Sequence, residues 1–140
     1  MDPTLAARID RLEKIEALKQ LKYRYCAAVD TNYDADAIAA MFTEDGVWDG
    51  DDLGYYSGRD AIHRSFMESN STVLWMRHGV ANPIIDVTGD RAQCQWYMWL
   101  PKITTDGQKA FQGGTYVDRC RRADGHWLFE HMQVRLRRLP

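Results

Sequence analysis

The sequence predicts an α+β domain, in which a curved antiparallel sheet wraps around N-terminal helices to give a cone-shaped α+β barrel with a pocket at its open end. Three observations predict it. Apolar residues recur at spacings of three and four only in the first third of the 140 residues. Beyond Ser71, four long segments with strand character follow one another across short turns, which implies an antiparallel meander. No linker, repeat or low-complexity tract divides the chain, so residues 1–140 form a single domain, one that buries roughly 68–70% of its unfolded surface. Helices first and an antiparallel sheet second place the helices on one face of the sheet.

The elements follow in order. Leu5, Ile9, Leu12, Ile15, Leu18 and Leu21 make a stripe that continues through Tyr25 to Ala28 or Val29, predicting one long amphipathic helix with Thr4 as N-cap and Pro3 just outside it. Turn formers at residues 30–34 break the pattern, and Asp34 can cap a short second helix over residues 35–42, antiparallel to the first. A brief strand is expected around Val47-Trp48, then an acidic loop over residues 49–54. Tyr55-Tyr56 leads into a third helix that starts at Ser57 or Asp60 and runs to about Ser69. The long strands are expected over residues 73–87, 91–103, 108–122 and 127–139. Turns fall at Thr88-Gly89-Asp90, Thr104-Thr105-Asp106-Gly107 and Ala123-Asp124-Gly125. Pro83 and Gly113-Gly114 offer places for these strands to bend or bulge.

Charge and composition narrow the function. Eighteen basic and 20 acidic residues are mixed along the chain for a net charge of -2, which argues against a nucleic-acid partner despite the small basic group Arg135, Arg137 and Arg138. Cys26, Cys94 and Cys120 are odd in number and lack C-x-x-C spacing, the pattern of reduced thiols in a cytoplasmic protein. No signal-like segment and no membrane-length apolar run occurs, so a soluble protein without a membrane partner is expected. His63, His78, His126 and His131 show no zinc-type spacing, and neither a G-x-G-x-x-G nor a P-loop sequence is present. No metal and no cofactor are therefore expected. Five Trp and seven Tyr exceed what most small cores require; they either fill a wide sheet–helix interface or line a ligand cavity.

The candidate chemistry begins with His78 and Asp30. In a strand over residues 73–80, Leu74, Met76, His78 and Val80 share the inward face. An imidazole placed there needs a partner. Asp30 closes the first helix facing the negative end of its macrodipole, typically at a cost of about 0.3–1 kcal/mol. A hydrogen bond between the two relieves both, and a His-Asp pair in a pocket is a general base. Taken by residue type alone, His78 can equally be a core histidine bonded to a carbonyl, and Asp30 a turn-forming aspartate. Tyr25 on the apolar stripe is either a packed ring or a hydroxyl donor to substrate. Arg135 is either an ion-pair partner or a cation in the pocket, and His131 on the same strand face is a secondary polar contact.

The chain resembles a known family, the cone-shaped barrels related to nuclear transport factor 2 (the cystatin-like, NTF2-like fold), and within it the SnoaL-like, polyketide cyclase-like group. The resemblance covers nearly the whole chain. It is carried by residues 15–25 followed by Asp30, by Met76-Arg77-His78 followed by Asn82-Pro83, by Gly113-Gly114-Thr115-Tyr116, by Asp124-Gly125-His126-Trp127 and by Val134-Arg135. It is similar above all to cofactor-independent lyases: bile-acid dehydratase, scytalone dehydratase and hexachlorocyclohexane dehydrochlorinase. One departure from the dehydratase pattern is that Leu100, with its neighbour Trp99, stands where a further acidic residue is expected. The resemblance implies a cofactor-free elimination on a small hydrophobic, carbonyl-bearing substrate, with His78, Asp30, Tyr25 and Arg135 as catalytic residues. Substrate-binding residues on this reading are Trp48, Tyr55, Trp75, Met76, Trp96, Met98, Phe111 and His131. An isomerase or cyclase using the same base, or a domain that only binds a ligand or partner subunit, are the alternatives. Apolar side chains on both faces of the last strands imply a homo-oligomer, and the resemblance suggests a trimer, with a dimer as the alternative.

Overall fold

The first helix, α1 (Pro3–Asp30), begins two residues earlier than the pattern implies. Asp2 rather than Thr4 is its N-cap: the Asp2 carboxylate accepts the Thr4 N–H at 3.1 Å, and Pro3 takes a first-turn position where no N–H is needed. The structure, a computed structural model, describes residues 2–69 and 72–138. Only the second half of α1 enters the core, through Leu18, Leu21, Lys22, Tyr25, Cys26 and Val29, while Leu5, Ile9 and Leu12 stay exposed. Asp34 caps α2 (Ala35–Ala40) as expected, accepting the Ala37 N–H at 3.1 Å. The third helix, α3 (Arg59–Met67), follows Gly58.

Seven strands form one strongly curled mixed sheet, a half-barrel around the helices. They are β1 (Phe42–Asp49), β2 (Tyr55–Ser57), β3 (Val73–Met76), β4 (Gly79–Thr88), β5 (Arg91–Thr104), β6 (Lys109–Ala123) and β7 (His126–Arg138). Their order is β2-β1-β7-β6-β5-β3, with β4 also on β5. The last four strands make the expected meander. The purely antiparallel sheet is corrected at one place, because β7 returns beside β1 and pairs with it in parallel. Position 139, included in the last predicted strand, lies outside the described residues.

Two local features decide which side chains face the cone. The strand expected over residues 73–87 is divided into β3 and β4, yet Met76 opposite Lys102 and Gly79 opposite Trp99 keep one register. The Arg77 N–H donates to the Pro101 carbonyl at 3.2 Å, and Pro101 has no N–H to return, so the ladder lapses there without shifting. Met76, His78 and Val80 therefore share the inner face as expected. Leu74 does not: a register shift between Val73 and Trp75 leaves it exposed. On β7, Phe129 pairs with Cys120 but His131 with Arg119, so Glu130 is an extra residue. This bulge reverses the alternation. Trp127, Phe129, Met132 and Val134 are all buried on one side, and the two opposed apolar faces expected of β7 are in fact one.

Gly113-Gly114 mark no bulge; the register runs straight through them. At Gly114 a Cβ would meet the Arg135 carbonyl oxygen at 2.4 Å, so glycine here permits close approach of β6 to β7. Pro83 does coincide with a shift, between Ala81 and Ile84. Beneath the sheet the core also holds an ion pair: Lys22 Nζ lies 3.0 Å from Asp118 Oδ2 and 3.2 Å from the centre of the Tyr116 ring.

Candidate active site

The end of α1 and the edge of the sheet meet at Asp30 and His78. In the β3–β4 edge, residue 77 occupies the hydrogen-bonded ladder position, so the N–H of residue 78 turns outward. It donates to Asp30 Oδ2 at 2.9 Å. The His78 ring turns back to the same carboxylate, with Nδ1 2.6 Å from Oδ1. An ionised carboxylate only accepts, so Nδ1 carries a proton, and in the neutral imidazole that leaves the lone pair on Nε2. Both side chains are nearly covered, at 10% and 12% of their full exposure. The two bonds from His78 also offset the poor placement of a carboxylate at a helix C-terminus.

His78 lines an apolar cavity of about 250 Å³ between the inner face of the sheet and the helices. Tyr25, Trp48, Met76 and Met98 line it too. Tyr25 reaches it from the inner face of α1, where burial pushes its hydroxyl far above the ordinary tyrosine range and keeps it protonated. Trp48 Nε1–H donates to the Tyr25 oxygen at 2.9 Å, which leaves the phenolic proton free for another acceptor.

Other predicted residues fall elsewhere. Arg135 is outside the cavity, on the opposite side of β7 from Val134 and Leu136. Its guanidinium donates to both carboxylate oxygens of Asp49, at 3.1 and 3.0 Å, and lines instead a second depression that shares Leu53, Gln112 and Leu136 with the cavity. That pairing holds the Asp49 carboxyl below its usual range and raises Arg135. His131 lies on the same outer side, 3.8 Å from Asp49. Trp75 and Phe111 are exposed on the outer surface, Trp75 under the Arg77 guanidinium and Phe111 stacked on Trp99. Tyr55 is exposed, and its neighbour Tyr56 lines the cavity in its place. Trp96 is buried edge-on against Tyr23, away from the cavity lining.

Several lining residues were missed from sequence. Tyr33 sits in the turn after α1 with a left-handed backbone, φ 54°, beside Asn32 at φ 48°. This places its ring against Phe66 and its hydroxyl 3.9 Å from the Met76 sulfur. Lys102 and Gln112 enter from β5 and β6 on either side of Leu100's row. Strict alternation along β5 (Trp96, Met98, Leu100, Lys102) was the available signal for Lys102. Among the described residues, no group of three or more His, Cys, Asp or Glu side chains is arranged to hold a metal ion. No helix of the described residues is long and apolar enough to cross a membrane.

Known proteins share this architecture. A protein of unknown function from Mycobacterium tuberculosis, solved as an Asp→Asn variant, is 26% identical with a TM-score of 0.80, over 93% of this chain and 75% of its own. A candidate scytalone dehydratase from Novosphingobium aromaticivorans is 23% identical with a TM-score of 0.81, over 93% and 87% of the two chains. A hexachlorocyclohexane dehydrochlorinase from Novosphingobium barchaimii is 19% identical with a TM-score of 0.82, over 92% and 90%. At the last two identities the likeness is one of fold. Relatives with this architecture are described as cystatin-like and NTF2-like folds. No curated protein matches the sequence significantly. The SnoaL-like domain matches residues 10–133, nearly the whole described chain, and the protein belongs to the SnoaL-like family.

Proposed function

We propose that this protein is a cofactor-independent lyase that eliminates water or another leaving group from a small hydrophobic, carbonyl-bearing molecule. The observation that carries the reading is His78 Nδ1 held 2.6 Å from Asp30 Oδ1 at the wall of an apolar cavity that Tyr25 also lines. His78 Nε2 takes a proton from the carbon beside the carbonyl, and the released pair moves toward the carbonyl oxygen. Tyr25 donates a hydrogen bond to that oxygen as its charge grows. The pair then forms the carbon–carbon double bond as the bond to the leaving group breaks. A departing hydroxide takes the proton from His78 and leaves as water, so enzyme and atoms balance. Arg135, bound to Asp49 outside the cavity, has no part in this scheme.

The dehydratase and dehydrochlorinase among the structural neighbours support elimination over other outcomes of the same base. His78→Ala is expected to lower turnover by about 10²–10⁴-fold, with the melting temperature followed as a control for folding. Unchanged turnover would exclude His78 as the base. Product mass tests the outcome of the reaction: loss of water or acid supports a lyase, and unchanged mass assigns the site to isomerisation or cyclisation.

A further inference from the structure

The cavity has an asymmetry of charge that the elimination chemistry does not use. Its lining includes one lysine, Lys102, and no aspartate or glutamate among the described residues; the Asp30 carboxylate is turned to His78 instead. Lys102 follows Met98 and Leu100 on the inner face of β5, directly opposite Met76. None of the described residues forms an ion pair or hydrogen bond with its side chain. Leu100 lies between His78 on β4 and Gln112 on β6. The shared register makes Lys102 the diagonal neighbour of both, at roughly 7–8 Å between Cα positions in a regular sheet. Gln112 also lines the cavity, and its Nε2–H2 donates to none of the described residues, while its Oε1 is a buried acceptor without a partner.

A partly buried lysine without a counterion, beside an amide N–H without an acceptor and on the wall of a small apolar cavity, is an incomplete arrangement. A carboxylate meets both donors, accepting from the Lys102 ammonium and from the Gln112 Nε2–H. We infer that Lys102, with Gln112, is an anion subsite, and that the substrate of this enzyme is a hydrophobic keto acid whose carboxylate lies a few bonds from the carbon that faces His78. The inference rests on the elimination reading for the direction in which the ketone points, but its charge preference stands on the cavity alone. A carboxylate is too weak an activator of its own α-carbon to be the group that His78 chemistry relies on. The anion therefore orients the substrate, and the ketone elsewhere in the molecule acidifies the carbon.

The test uses 3-benzoylpropanoate, an aromatic keto acid with a CH2 beside the ketone, and its methyl ester as the neutral counterpart. Calorimetric titration of the whole protein should show the acid binding at least about tenfold tighter than the ester. K102M should abolish that preference and K102R retain it, with circular dichroism confirming that both variants fold. H78A should keep the preference, because the base plays no part in it. Equal binding of acid and ester to the native protein, no binding of either at millimolar concentration, or a preference that survives K102M overturns the subsite. Exchange of the CH2 protons in deuterium oxide, followed by NMR, reports on His78 separately. A charge preference without exchange leaves the subsite standing and removes the base.

Discussion

At the scale of single residues, the site depends on side chains that each satisfy two demands. Tyr25 lines the cavity while its oxygen accepts from Trp48 Nε1. Tyr25→Phe removes both bonds with little change in volume. It should lower turnover by about 10²–10³-fold if the hydroxyl steadies developing charge. The accompanying loss of stability should stay near 1 kcal/mol, because the Trp48 donor is left buried without its acceptor. Steady-state kinetics beside urea unfolding separates the two effects, and full activity in the variant would reduce Tyr25 to a packing role. Asp30 and His78 were legible because each is in an awkward place by itself: a carboxylate at a helix C-terminus and an imidazole on an inward strand position. Tyr33 was not legible. Its ring reaches the cavity through a left-handed backbone, φ 54°, that no residue type announces in a run of turn formers.

At the scale of elements, the helix order, the three turns of the meander and the long strands were visible as periodicity and punctuation. What periodicity could not show was where it is interrupted. The bulge at Glu130 has neither glycine nor proline beside it, and it moves Arg135 and His131 to the outside of β7 while turning Trp127 and Phe129 inward. The register shift near Trp75 has the same effect on Leu74. The parallel pairing of β1 with β7 is a long-range event with no local signature. Nor did the sequence reveal how α1 is fastened to β6. Lys22 and Asp118 are both sealed from solvent, with Nζ 3.0 Å from Oδ2 and burial pressing the Asp118 carboxyl upward against the opposing pull of Lys22. Lys22→Ala should cost about 3–5 kcal/mol, since a buried carboxylate is left without its partner. Lys22→Met combined with Asp118→Leu should recover most of that loss. Urea denaturation measures both, and a single variant as stable as the parent would show the pair to be energetically idle.

At the scale of the molecule, two apolar surfaces remain open. Leu5, Ile9 and Leu12 are exposed along the first half of α1, and Tyr97, Trp99 and Phe111 on the outer face of β5 and β6. A half-helix without tertiary partners has little to hold it in water, and exposed aromatic clusters of this kind mark contact surfaces. We propose that a second copy of the chain covers them. Light scattering at micromolar concentration should then give at least twice the 16.2 kDa of one chain, and Leu12→Glu should lower that mass. A mass near one chain for the parent protein would overturn the proposal. Where β3 meets β4, the edge of the sheet is closed to such association. Two outward groups there are already occupied: the Arg77 guanidinium holds the Met76 carbonyl at 2.7 Å, and Asp30 holds the His78 N–H at 2.9 Å. An open strand edge invites a strand from another chain, the first step toward insoluble cross-β aggregate. The carboxylate that orients the proposed base thus also closes one open group of the sheet edge, and an exchange of Asp30 puts both at stake.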